Sequence, residues 1–175
     1  MPTLLLLRHA KSDWSKPRLR DFERPLAPRG ERAAARVGGF IAENHLAPDL
    51  VLCSPAKRAH ATLDLVLGKL ESKPEIRFAD GLYMAGPATM MTLLTELEGK
   101  PERVMMVGHN PGFQAFALMV CGGGGEEDLA ALARKFPTAA LAVIDFDGQW
   151  KDIGAGRGRL RLFATPRALK EASPS

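Results

Sequence analysis

Few aromatic rings, two cysteines and no long apolar run set the first limits on this chain of 175 residues. No apolar stretch approaches the roughly 18 residues that a membrane-spanning helix needs, so no membrane partner is expected. Only Met1-Pro2-Thr3 precedes the first apolar run. A secretory signal would carry a basic segment there, so a cytoplasmic location is expected. Cys53 and Cys121 show no CxxC spacing, and both read as reduced thiols. No His-x-His or His-x-x-x-His pair occurs, so neither a metal nor another cofactor is expected. Aromatic residues make up 6% and do not interleave with the basic ones, which argues against nucleic acid as a partner. No repeat and no long linker divides the chain. Its length fits one domain, residues 1–175, with a core of its own.

What the sequence does have begins at once. Leu4 to Leu7 are four consecutive leucines, followed by Arg8 and His9. The run is the length of a buried central strand, and in open α/β sheets chemistry collects at the carboxyl ends of strands. An arginine there is a permanent anion clamp. The neighbouring imidazole can be neutral and nucleophilic near pH 7. The pair suits phosphoryl transfer. Net charge is +4, and residues 8–36 hold nine Lys/Arg against four Asp/Glu. That excess reads either as a solvated surface or as a basic rim that attracts an anionic substrate.

Further along, residues 11–27 are polar and contain proline, which predicts a long loop over the strand end. Apolar residues recur at helical spacing from Pro28 to Asn44. Asp49–Cys53 reads as a second strand, and Ser54-Pro55 as an N-cap with proline at the first helical position. Glu75–Phe78, Arg103–Val107, 139–146 and 159–164 read as further strands. Pro87–Leu97 reads as a helix stopped near Gly99, and Asn110-Pro111 opens another that runs to about Val120. Gly122–Gly125 reads as a mobile loop, and the tail from Pro166 as frayed or surface-bound. Strands alternating with helices predict an α/β fold, a three-layer α/β/α sandwich around a mostly parallel sheet.

Three segments share a strand-turn-helix pattern: Leu7-Arg8-His9, Cys53 to Arg58, and Val107-Gly108-His109. In neighbouring parallel strands they would bring Arg8, His9, Arg58 and His109 to one sheet edge. Two guanidiniums can bind phosphoryl oxygens in bidentate fashion, and two imidazoles can divide attack and stabilisation between them. These motifs, Leu-Arg-His-Ala-Lys-Ser at 7–12, Ser54 to Thr62, and Val107 to Pro111, resemble the signatures of the histidine phosphatase superfamily, the phosphoglycerate-mutase-like group. The short length is similar to its phosphohistidine phosphatase SixA type, as are Phe22-Glu23-Arg24-Pro25-Leu26 with Arg29-Gly30 and Phe136-Pro137-Thr138-Ala139. The resemblance spans residues 4 to about 167. It implies the phosphoglycerate-mutase-like fold, with His9 as a nucleophile that carries a phosphohistidine intermediate. It implies that Arg8, Arg58 and His109 bind the phosphoryl group. Arg24 either faces the site from the first loop or is a surface charge.

Many members of the group carry a carboxylate acid where this chain has Met84, within Asp80-Gly81-Leu82-Tyr83-Met84-Ala85. Without that acid an alkoxide leaves slowly, whereas a phosphoramidate nitrogen can be protonated by solvent. Phosphohistidine on a protein, such as a phosphotransfer domain of a signalling relay, is therefore the expected substrate. Asp80, Asp13, Glu126 or Glu127 could supply a carboxylate from a loop instead. A small-molecule phosphomonoesterase acting on a small phosphate ester and a noncatalytic phospho-binding module are the competing readings.

Overall fold

The computed structural model describes residues 1–172. Among them a seven-stranded sheet runs through the centre. Its strands are β1 (Thr3–Arg8), β2 (Leu50–Cys53), β3 (Glu75–Phe78), β4 (Arg103–Gly108), β5 (Cys121–Gly124), β6 (Leu141–Phe146) and β7 (Gly158–Ala164). Their spatial order is β3-β2-β4-β1-β6-β7-β5, and β6 runs against its two neighbours while the others are parallel. The helices are α1 (Pro28–Glu43), α2 (Lys57–Leu67), α3 (Pro87–Thr95), α4 (Gly112–Val120), α5 (Glu126–Arg134) and α6 (Pro166–Ala172). The expected three-layer, mostly parallel architecture is the one observed.

The leucine run explains why β1 is central. Leu4 and Leu6 pack on one face of the sheet with Met106, Phe113 and Phe116. Leu5 and Leu7 pack on the other with Val37, Ile41, Leu63 and Val66. A strand buried on both faces has no polar side to spare, so it reads as a continuous apolar run. At the opposite extreme β3 is exposed along its whole length, and its Glu75 and Arg77 pair at 2.7 Å on the sheet edge. Proline at the first turn of α1 and of α3 starts each helix where an N–H would lack a partner.

Several expectations are corrected. The glycine run at 122–125 is not a mobile loop: Gly122 to Gly124 belong to the edge strand β5, parallel to β7. A Cβ on Gly122 would run into the Gly156 carbonyl oxygen, and Gly124 has φ +155, so glycine serves close strand approach here. The short helix α5 follows it, with Leu132 buried and Glu126, Glu127 and Asp128 in its first turn. α2 begins at Lys57 with Ala56 as its cap, so Ser54 is not the N-cap. α4 likewise begins after Pro111, and Asn110 Oδ1 accepts from the Gln114 amide at 3.1 Å. The tail from Pro166 is surface-bound, the second of its two expected states: it forms α6, which packs on α1, and residues 173–175 lie outside the described residues. No helix among the described residues is long and apolar enough to cross a membrane.

Candidate active site

Register brings the sequence motifs together. Arg8 of β1 stands opposite Gly108 of β4, so His9 and His109 leave two adjacent strands at the same level. The His9 amide donates to the Gly108 carbonyl at 3.0 Å, and the Ala139 amide donates to the carbonyls of Arg8 and His9, both at 3.1 Å. The backbone at the strand end is therefore held from both sides. The two imidazole centroids are 5.1 Å apart.

Each ring is oriented by two buried partners. His9 Nδ1 lies 2.7 Å from the Ala10 carbonyl oxygen, which only accepts, so Nδ1 carries the proton and Nε2 the lone pair. Nε2 faces Arg58 Nε at 3.2 Å. The Ala10 peptide is fixed in turn: its amide donates to Thr62 Oγ1 at 2.9 Å, and that hydroxyl donates to the Arg58 carbonyl at 2.7 Å. His109 Nε2 meets Ser54 Oγ at 2.7 Å, and its Nδ1 meets Arg58 Nη2 at 3.2 Å. Arg58 can only donate, so His109 Nδ1 accepts and Nε2–H donates to the serine. Ser54, which looks like a helix cap in the sequence, holds the second histidine.

Electrostatics keep both rings neutral. His9 titrates near 4 instead of 6.5, chiefly because burial penalises its charged form, with Arg58 and Arg8 adding repulsion. His109 is lowered to about 3 by the same burial first, then by His9 and Arg58. Burial thus leads the arginines as the cause. Arg8 donates from Nη1 to the Phe136 carbonyl at 2.8 Å, while its buried Nε has no hydrogen-bond partner among the described residues.

Arg24 is placed differently. It is buried, but its guanidinium donates to the carbonyls of Lys16 and Leu19 at 3.3 and 3.1 Å and lies 3.8 Å over the Trp14 ring. It ties the 11–27 loop to itself, and no hydrogen bond joins it to His9, Arg8, Arg58 or His109. The bridge from Ser12 to Leu26 closes the same loop at its base.

That loop delivers a residue the sequence did not single out. Asp21 Oδ2 accepts from Arg58 Nη2 at 2.9 Å and from the Tyr83 hydroxyl at 2.6 Å, and its carbonyl accepts from Arg58 Nη1 at 2.6 Å. Tyr83 in turn sets its ring edge-on to His109, with centroids 5.4 Å apart. The Tyr83 bond first, and Arg58 second, hold the Asp21 carboxyl below the usual carboxylate range. The four carboxylates named from sequence are elsewhere. Asp13 accepts from the Ser15 amide, Asp80 is exposed, and Glu126 and Glu127 are exposed on α5. Met84 is exposed at the rim with φ +55. Among the described residues no cluster of His, Cys, Asp or Glu could hold a metal ion.

Comparison with known proteins agrees with this geometry. Residues 4–84 match the model of the histidine phosphatase superfamily (branch 1). An uncharacterized protein of Mycobacterium tuberculosis is 36% identical over 163 residues, covering 92% of this chain and all of the relative. A proposed phosphohistidine phosphatase SixA of Agrobacterium tumefaciens superimposes with a TM-score of 0.79 at 34% identity, covering 95% of this chain and 99% of that one. A second, from Nakamurella multipartita, gives 0.77 at 29% identity over 94% and 96%. A full-length match at this identity, on top of a shared motif region, shows that the chain belongs to the histidine phosphatase superfamily and is a phosphatase.

Proposed function

We propose that this protein is a metal-independent phosphohistidine phosphatase in which His9 Nε2 takes the phosphoryl group from a phosphorylated protein, such as a phosphotransfer domain. The observation that carries this reading is the orientation of His9. Its Nδ1–H is spent on the Ala10 carbonyl, its ring is held neutral, and its nucleophilic nitrogen points at the inner edge of Arg58. Arg8 and Arg58 supply the positive charge that the phosphoryl oxygens need, and Arg8 Nε is a buried donor suited to one of them. His109 lines the cradle and holds the inner edge of Arg58 through Nδ1. Arg24 acts here as the strut of the loop that carries Asp21, not as a direct ligand.

Three features favour phosphohistidine over an ester. Met84 provides no proton for a departing alkoxide, and the one carboxylate at the site is held in its ionised form. A groove beside the site, lined by Lys11, Arg29, Arg32, Arg36, Arg167 and Lys170, suits an acidic macromolecular substrate better than a small ester. Apart from Arg167, which pairs with Glu171, these side chains have no ion-pair partner among the described residues.

A panel of phosphohistidine peptides and alkyl phosphates tests the reading. Phosphohistidine should be cleaved roughly 10²–10⁴ times faster, the usual worth of one general acid, with acid-labile phosphate trapped on His9. Equal rates would turn the assignment to a small-molecule phosphomonoesterase. Binding without turnover would turn it to a phospho-binding module.

A further inference from the structure

We propose that Asp21 is the general base of this site, taking the proton from the water that hydrolyses phosphorylated His9. The inference rests on His9 forming that intermediate. Among the described residues Asp21 is the carboxylate that hydrogen-bonds directly to the phosphoryl-binding machinery, through Arg58. Arg58 shows two edges. Its inner edge, Nε and one Nη2 proton, faces His9 and His109 at 3.2 Å each. Its outer edge is held by Asp21, through Nη1 to the carbonyl at 2.6 Å and Nη2 to Oδ2 at 2.9 Å. A phosphoryl group on His9 Nε2 would engage the inner edge and leave the outer edge in place. The carboxylate then stays beside the reacting centre throughout the cycle.

The two carboxylate oxygens differ. Oδ2 is occupied by Arg58 and Tyr83, whereas Oδ1 accepts no hydrogen bond from the described residues. The Asp21 side chain is 48% exposed, while Arg58 is 5% exposed. The free oxygen thus belongs to a half-exposed side chain, at a site where His9, Arg58 and His109 are buried. Its neighbours also fix its protonation: the Tyr83 hydroxyl and the Arg58 guanidinium favour the charged form. An ionised carboxylate can accept a proton but has none to give. The same residue thus serves hydrolysis of the phosphoenzyme and does nothing for a departing alkoxide.

The step balances simply. Water oxygen bonds to phosphorus, the bond from phosphorus to His9 Nε2 breaks, and its electron pair returns to the ring nitrogen. The water proton passes to Asp21 and then to solvent. Inorganic phosphate and neutral His9 remain. The sequence shows a carboxylate missing at Met84, and the structure places one at the neighbouring Tyr83 hydroxyl, supplied by a different loop.

The test separates the two half-reactions. Phosphoramidate is the phosphoryl donor, and rapid acid quench follows phosphate on His9 in the full chain. In Asp21→Asn, formation of the phosphoenzyme should stay within about threefold of the parent, while its hydrolysis slows by roughly 10²–10⁴-fold. Phosphoenzyme should then accumulate. Asp21→Glu should recover part of the hydrolysis rate, and the pH dependence of hydrolysis should flatten in the Asn variant alone. If formation and hydrolysis fall together, Asp21 merely aligns Arg58 and the proposal is overturned. If phosphoenzyme decays in Asp21→Asn as it does in the parent, the proposal is overturned while the nucleophile stands. An active parent with no label on His9 would remove the nucleophile, and this base with it.

Discussion

Replacing Thr62 with valine should damage both stability and chemistry, because one buried hydroxyl serves both. Thr62 is fully buried, and valine matches its shape, so no cavity forms. What changes is the Ala10 amide, which loses its 2.9 Å acceptor and becomes a buried donor without a partner. Such a loss costs about 1–3 kcal/mol. For a chain of this length each kcal/mol moves the melting midpoint by about 2–4 °C, so Tm should fall by about 2–12 °C. The same peptide presents the carbonyl that accepts from His9 Nδ1 at 2.7 Å. If the loss lets that peptide turn, Nε2 swings out of line, and 1.4 kcal/mol of lost transition-state stabilisation is about tenfold in kcat/KM. Urea unfolding at constant slope and steady-state dephosphorylation of a phosphohistidine peptide measure the two effects. Thr62→Ser keeps the hydroxyl and should sit near the parent in both. If Thr62→Val unfolds within about 0.5 kcal/mol of the parent with unchanged kcat/KM, the chain of orientation from Thr62 through Ala10 to His9 is wrong.

Three other outcomes are expected. Because His9 titrates near 4 and His109 near 3, each below the ordinary 6.5, the unfolded chain takes up protons that the native site refuses. These two groups therefore stabilise the fold fully above about pH 6.5 and lose that contribution as pH falls towards 4. Imidazole NMR should show both rings neutral at pH 5, and a titration centred near 6.5 would contradict the burial argument. Dialysis against EDTA should leave the rate within about twofold, since Arg8 and Arg58 supply the charge a metal would bring; a large loss restored by a divalent ion would overturn this. Charge reversal by Arg32→Glu with Arg36→Glu should lower kcat/KM for an acidic phosphoprotein and flatten its salt dependence, while phosphoramidate hydrolysis stays as it was. Equal effects on both substrates would mean the groove is not a docking surface.

The fold and four site residues are legible in the sequence because their signals are local. Arg8 ends a strand of apolar residues, His9 and His109 follow one directly, Arg58 opens the helix after another, and parallel neighbours must end on the same side of the sheet. Asp21 is not legible. It sits in a polar loop among other charges, and only the path of residues 11–27 brings it to Arg58, 37 positions away in the chain. Ser54 carries a real signal that is misread. Serine before proline commonly caps a helix, but here its hydroxyl turns across to His109, just past the end of β4. The glycines at 122–125 defeat sequence reading for a related reason. Glycine marks both mobility and close backbone approach, and only the neighbour at Gly156 decides which. Missing that strand also hid α5, whose first turn follows it directly.

The origin of the site residues has a consequence for how this protein can change. His9, Arg8 and His109 stand at the ends of two central strands locked in register, where a single shift would part His9 from His109 and misplace the leucines packed on both faces of β1. Asp21 arrives on a surface segment pinned at its base by one bridge between Ser12 and Leu26. The proposed nucleophile is written into the core, and the proposed base is written into a replaceable insert. A transplanted 13–25 segment, or an acid restored at position 84, would therefore redirect the leaving group that the catalyst prefers without disturbing the packing beneath it.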